Sequence, residues 1–98
     1  MNREEVIARL RENESNLRSR GVAHAAVFGS RARGDQRADS DTDIMIKIDP
    51  GAPVGVWEYA RIKSYIASLF EGPVDVVDRE GLKPYVRSAA TTDAIYAF

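Results

Sequence analysis

Between Asp41 and Ile48 the chain reads DTDIMIKI, with Thr42, Ile44, Ile46 and Ile48 at one parity and Asp41, Asp43, Met45 and Lys47 at the other. Successive side chains of an extended strand point to opposite faces, so this strict alternation predicts a strand with one apolar face. It also puts Asp41 and Asp43 on a single face with their α-carbons about 6.5–7 Å apart. Like charges so placed repel each other unless a counter-ion joins them. The same eight residues thus predict a β-structured centre and mark a place for chemistry.

The flanking segments supply the rest of a small sheet and its helices. Val22 to Phe28 is short and apolar, ends at Gly29-Ser30, and reads as a buried strand. Residues 31–40, RARGDQRADS, are rich in charge and turn formers and read as a loop. Pro50-Gly51-Ala52-Pro53 breaks the chain, after which Val56, Tyr59, Ile62, Ile66, Leu69 and Phe70 recur at helical spacing until Gly72-Pro73. Val74 to Val77 reads as a third strand, with Val74 and Val76 on the face opposite Asp75 and Val77. A short helix over Leu82 to Ala89 follows, with Pro84 in its first turn. The tail TTDAIYAF reads either as a final strand or as the end of that helix.

Upstream, Asn2 and Glu5 have capping-box spacing, Val6, Leu10 and Leu17 share a helical face, and Gly21 suits the position past a helix end. Together they predict one helix from about Arg3 to Arg20, with a polar stretch at Glu12–Asn16. The order α-β-β-α-β-α-(β) predicts an α+β fold, a small mixed β-sheet with helices packed against it, and not a doubly wound one. Neither GxGxxG nor GxxxxGK[ST] occurs at the strand–Gly–Ser junction, which excludes dinucleotide and P-loop sites of those types.

Composition narrows the function. The 98 residues make a single domain over 1–98, without repeat or linker. A domain of this size buries only roughly 60–65 % of its unfolded surface, so a partner covering spare apolar surface is expected. With no cysteine and one histidine there is no disulfide scaffold, thiolate zinc site or multi-histidine metal site. Fourteen Lys and Arg balance fifteen Asp and Glu, so no global field attracts nucleic acid or an anionic membrane. The charged start MNREEVIARLREN and the absence of a long apolar run read as a soluble, cytoplasmic protein.

The chemical signal is Gly29-Ser30, ten residues, then Asp41-Thr42-Asp43. Carboxylates at i and i+2 on a strand converge on hard cations, and Mg²⁺ completes its octahedron with water and phosphate oxygens. Gly29 has no side chain, so phosphate can approach the backbone there. Ser30 offers a hydroxyl and an amide where a β- or γ-phosphate would lie, and a helical turn starting there would add free N–H groups. Asp75 completes the set if the isoleucine face and the Val74/Val76 face are both core. Arg31 and Arg33 lie beside the phosphate position and either neutralise it, or belong to a solvated loop, or pair with Asp35 and Asp39. His24 reads as a hydrogen-bonded core residue, Asp78 as a turn or cap residue, and Trp57 and Tyr59 as core or interface, with base stacking as the alternative.

Val27-Phe28-Gly29-Ser30-Arg31-Ala32-Arg33-Gly34, then Ser40-Asp41-Thr42-Asp43-Ile44, resembles the signature of the minimal nucleotidyltransferases of the DNA polymerase β-like superfamily. Pro73-Val74-Asp75-Val76-Val77, Leu82-Lys83-Pro84-Tyr85-Val86-Arg87 and Ala94-Ile95-Tyr96-Ala97 are similar to later parts of that family. The resemblance implies a nucleotidyltransferase (polymerase β palm-like) fold in which Gly29 and Ser30 hold the triphosphate of ATP. It implies that Asp41 and Asp43 carry Mg²⁺, two ions in all, and that Asp75 is the third carboxylate, which helps to activate the acceptor hydroxyl. Members of this size are often antitoxins that transfer AMP to a tyrosine of a HEPN-domain RNase toxin.

Size adds to the expectation. About a hundred residues house a metal and triphosphate site but leave little chain for an acceptor pocket, so the acceptor hydroxyl should belong to a partner protein, in a homo- or hetero-oligomer. The alternative is a non-catalytic nucleotide-binding module that masks its partner. The Asp41, Asp43 and Asp75 set favours the enzyme, because masking does not require three converging carboxylates.

Overall fold

The computed structural model describes residues 1–37 and 40–98. The pairing of Arg31 or Arg33 with Asp39 lies outside the described residues.

Helix α1 spans Arg3–Glu12 and α2 spans Glu14–Ser19, so the predicted single helix is broken at Asn13. Asn2 caps α1 as expected, its Oδ1 accepting the Glu5 N–H at 2.9 Å. At the break, Asn13 donates from Nδ2 to the Arg9 carbonyl at 2.8 Å and accepts the Tyr65 hydroxyl at 2.8 Å. A side chain that bonds both the preceding turn and another helix favours a bend over a continuous rod. Leu10 and Leu17 are fully buried on either side of it.

Strand β1 is Val22–Phe28, followed by a short helix α3 at Gly29–Arg33, then strand β2 at Thr42–Ile48. Helix α4 runs Val56–Ser68, β3 is Val74–Asp78, and a 3-10 turn covers Arg79–Gly81. Helix α5 is Pro84–Asp93, with Pro84 at its start, and the tail resolves into a two-residue strand β4, Ile95–Tyr96. The sheet order is β3-β2-β1-β4, with β2 parallel to β3 and β1 antiparallel to both β2 and β4. The mixed α+β architecture matches the one predicted.

The sheet is covered on both faces. Ile44, Ile46, Val27 and Val76 meet Val6, Leu10 and Leu17 of α1 and α2 and Ile62 and Ile66 of α4 in the main core. On the other face Met45 and Ala26 pack against Ala90 of α5, with Phe28, Val77 and Leu82 around them. Met45 is therefore buried although it shares its face with Asp43. His24, expected in the core, is exposed beside an irregularity in β1 between Val22 and His24. Trp57 lies outside the core, 76 % exposed at the start of α4, whereas Tyr59 packs on the main core. Asp78 caps the 3-10 turn, its Oδ1 accepting the Glu80 N–H at 3.0 Å.

Candidate active site

The register of the sheet brings the carboxylates together. Asp43 pairs with Asp75 across the parallel β2–β3 ladder and with Phe28 across the antiparallel β1–β2 ladder. Ile44 and Val76 point into the main core, so Asp43 and Asp75 project from the opposite face. Asp41 precedes β2 and is exposed, as is Asp75. The Asp43 carboxyl is held above its ordinary pKa, first by partial burial, then by the charges of Asp75 and Asp41, with Arg31 and Arg33 opposing. Repulsion from both neighbours marks all three as parts of one electrostatic unit.

Gly29 begins α3 at the end of β1 with φ +72°. A Cβ there would overlap the Asp43 Oδ2 and stand 3.3 Å from its Cγ. Only glycine lets the β1–α3 turn close so tightly on the Asp43 carboxylate. Ser30, in the first turn of α3, follows it, and the turn ends at Gly34, also left-handed at φ +81°.

The two arginines, expected beside the phosphate position, are also held by groups of the protein itself. Arg31 is 9 % exposed; its Nη1 donates to the Met1 carbonyl and its Nη2 to the Ser40 carbonyl, the latter at 2.9 Å. It ties α3 to the residue before Asp41 and to the start of the chain, while its charge still reaches Asp43. Arg33 donates to Asp35 at 3.2 Å and to Asp93 of α5 at 2.7 Å, so the sequence alternative of pairing with Asp35 is the arrangement found. Asp93 lies sixty residues away and carries no local signal that would have pointed to this pairing.

Among the described residues no three His, Cys, Asp or Glu side chains stand ready as a formed metal cage. The donor set nevertheless suits a hard divalent cation: oxygen ligands only, excess negative charge, and a proton affinity at Asp43 raised by like-charged neighbours. A cation would relieve that repulsion. No helix among the described residues is long and apolar enough to cross a membrane.

Residues 4–97 match the family model described as Nucleotidyltransferase domain. The chain is 30 % identical over 94 residues to the protein adenylyltransferase MntA of Thermococcus cleftensis, covering 95 % of this chain and 93 % of that one. A solved minimal nucleotidyltransferase, 34 % identical, superposes with a TM-score of 0.78 over 97 % of this chain and 95 % of its own. An MNT antitoxin in complex with a tri-AMPylated HEPN toxin of Shewanella oneidensis shares the fold, with a TM-score of 0.61 at 19 % identity over 91 % of this chain and 70 % of that one. The chain belongs to the nucleotidyltransferase family. Its fold is that of the minimal members, and its class of activity is nucleotidyl transfer.

Proposed function

We propose that the protein transfers AMP from ATP to a hydroxyl, a tyrosine, of a HEPN-type toxin and so acts as its antitoxin. The observation that carries this reading is the direct opposition of Asp43 and Asp75 beneath a glycine turn that only Gly29 can make. The adenylyltransferase name of a 30 % identical relative and the AMPylated toxin bound by a fold neighbour support it.

In this reading Gly29 and Ser30 receive the triphosphate, the glycine by close backbone approach and the serine by its hydroxyl and amide. Asp41, Asp43 and Asp75 would hold Mg²⁺, which when bound would offset the triphosphate charge and polarise the α-phosphate. The acceptor oxygen attacks the α-phosphorus in line. The bond from that phosphorus to the bridging oxygen breaks, and pyrophosphate leaves with the electron pair. Asp75, on the edge strand, takes the hydroxyl proton. Arg31 ties α3 to the carbonyl of Ser40, the residue before Asp41.

The test is intact-protein mass spectrometry of a HEPN-type partner incubated with this protein, ATP and Mg²⁺, beside a toxicity assay. Attack at the α-phosphate predicts a gain of about 329 Da or multiples of it. Asp75→Asn should abolish the gain while part of the nucleotide binding survives. No mass change, with full neutralisation by Asp75→Asn, would establish a mask instead.

A further inference from the structure

Strand β3 ends the sheet on its side and, among the described residues, pairs only with β2. The Pro73 carbonyl accepts the Thr42 N–H at 3.0 Å, so Pro73, Asp75 and Val77 turn their backbone groups toward β2. By the alternation of a strand, the N–H and C=O of Val74 and Val76 face outward. An edge of this kind is a template for another strand.

This edge opens on a groove of about 340 Å³. Four consecutive residues, Asp75 to Asp78, line it, with Tyr59 and Lys63 of α4 on one wall and Leu82 on the other. Tyr59 belongs to the main-core side of the sheet and Leu82 to the α5 side. Consecutive residues of both parities share one groove only where the backbone edge itself is the floor. Asp75 belongs both to this groove and to the carboxylate set.

We infer that the groove receives an extended segment of the acceptor protein, which adds to β3 as a further strand and so carries its hydroxyl to Asp75. The inference rests on the transferase reading. A residue paired opposite Asp75 projects from the same face as Asp75 and Asp43, one strand spacing of about 4.8 Å further out. Its neighbours point to the α4 side, where Lys63 stands with its ammonium 5.5 Å from the Tyr59 ring centroid. The segment is thus extended, hydroxyl-bearing at its centre and acidic only where it meets Lys63, since Asp75 and Asp78 of the same lining disfavour acid elsewhere along it. A peptide fits better than a nucleic acid, because the edge offers alternating N–H and C=O groups and Lys63 is the one cation among the lining residues.

The experiment uses the full chain with ATP, Mg²⁺ and two acceptors: short peptides with a single central tyrosine, flanked by acidic or neutral residues, and N-acetyltyrosinamide, which is too short to pair. Wild type should modify the peptides about tenfold faster or more, a difference equivalent to at least one good anchoring contact. Val76→Pro removes an N–H that faces the groove and not β2, so it should lose that preference yet keep the slow reaction with N-acetyltyrosinamide. Lys63→Glu, on the surface of α4, carries the test if Val76→Pro does not fold. It should slow transfer to acidic-flanked peptides about tenfold and leave neutral-flanked ones unchanged. Amide hydrogen exchange at Val74 and Val76 should slow when the peptides are added. Equal rates on both acceptors without this protection overturn the groove and leave the transferase reading intact. No transfer to either acceptor or to a HEPN-type partner, with protection at Val76, overturns the transferase reading and upholds the strand pairing. Neither peptide transfer nor protection overturns the groove, and loss of transfer to the HEPN-type partner as well overturns both.

Discussion

Asp43 and Asp75 stand directly opposite each other on adjacent parallel strands, and their side chains leave the same face of the sheet. A pair of like charges in that position costs stability until something neutralises it. The cost is a lever for experiment.

In metal-free buffer containing a chelator, Asp43→Asn should raise the melting temperature at neutral pH by a few degrees, about 2–5 °C. The folded Asp43 carboxyl has its pKa raised above the ordinary 3.8, first by partial burial and then by Asp75 and Asp41. Folding therefore favours its protonated form. Stability is lost as pH rises from the unfolded value through the folded one, and the penalty is complete above both. The gain from the asparagine should be full at neutral pH and fade as pH falls toward 3.8. Thermal melts between pH 3.5 and 7.5 check this, and a gain that grows on acidification would contradict it. Added Mg²⁺ with ATP should stabilise wild type more than the variant.

Gly29→Ala should destabilise the fold by about 1–2 kcal/mol from the left-handed backbone alone. The further clash with Asp43 should displace that carboxylate. Urea denaturation measures the first effect. Calorimetric titration with a nonhydrolysable ATP analogue measures the second, and unchanged nucleotide affinity would show that the turn has no part in phosphate binding.

Arg31→Ala should cost about 2–3 kcal/mol, because it leaves the Met1 and Ser40 carbonyls without their buried donor. Arg31→Lys should recover only part of this, since one ammonium cannot reproduce the planar fork. Arg33→Ala, which breaks exposed ion pairs with Asp35 and Asp93, should change the melting temperature little. Similar stability losses in the two alanine variants would refute the distinction.

Met45→Ala should cost about 2–4 kcal/mol, as expected for a large side chain removed from a packed layer. Its buried position under Ala90 of α5 is the reason. Hydrogen exchange along α5 should rise with it. A cost near zero would mean that α5 is not held by this contact.

Much of the fold was legible because local signals and tertiary packing agree. The alternation at 42–48 gave β2, the spacing from Val56 gave α4, and the Asn2–Glu5 cap gave the start of α1. The break at Asn13 was not legible, because the Tyr65 hydroxyl that stabilises it comes from a helix fifty-two residues away. The Gly-Ser and Asp-x-Asp pieces were legible because strand periodicity alone orients i and i+2 together. The contacts of Arg31 within the protein were not legible for a different reason. Sequence places a guanidinium beside the phosphate turn, but the partly buried carbonyls of Met1 and Ser40 also bind it and are not visible from residue type.

The sequence by itself determined the three longer strands, the helix after Gly55, the apolar face of β2, and the glycine that follows β1. These follow from φ/ψ preferences and periods of two and 3.6, which act within one segment. Tertiary structure alone decided that β3 lies parallel to β2 with Asp75 opposite Asp43, that α5 buries Met45 on the carboxylate face, and that among the described residues β3 pairs on one side only. Those choices depend on which segments can share one core, since a shift of a single residue in the β2–β3 register would turn Asp75 inward and Val76 outward.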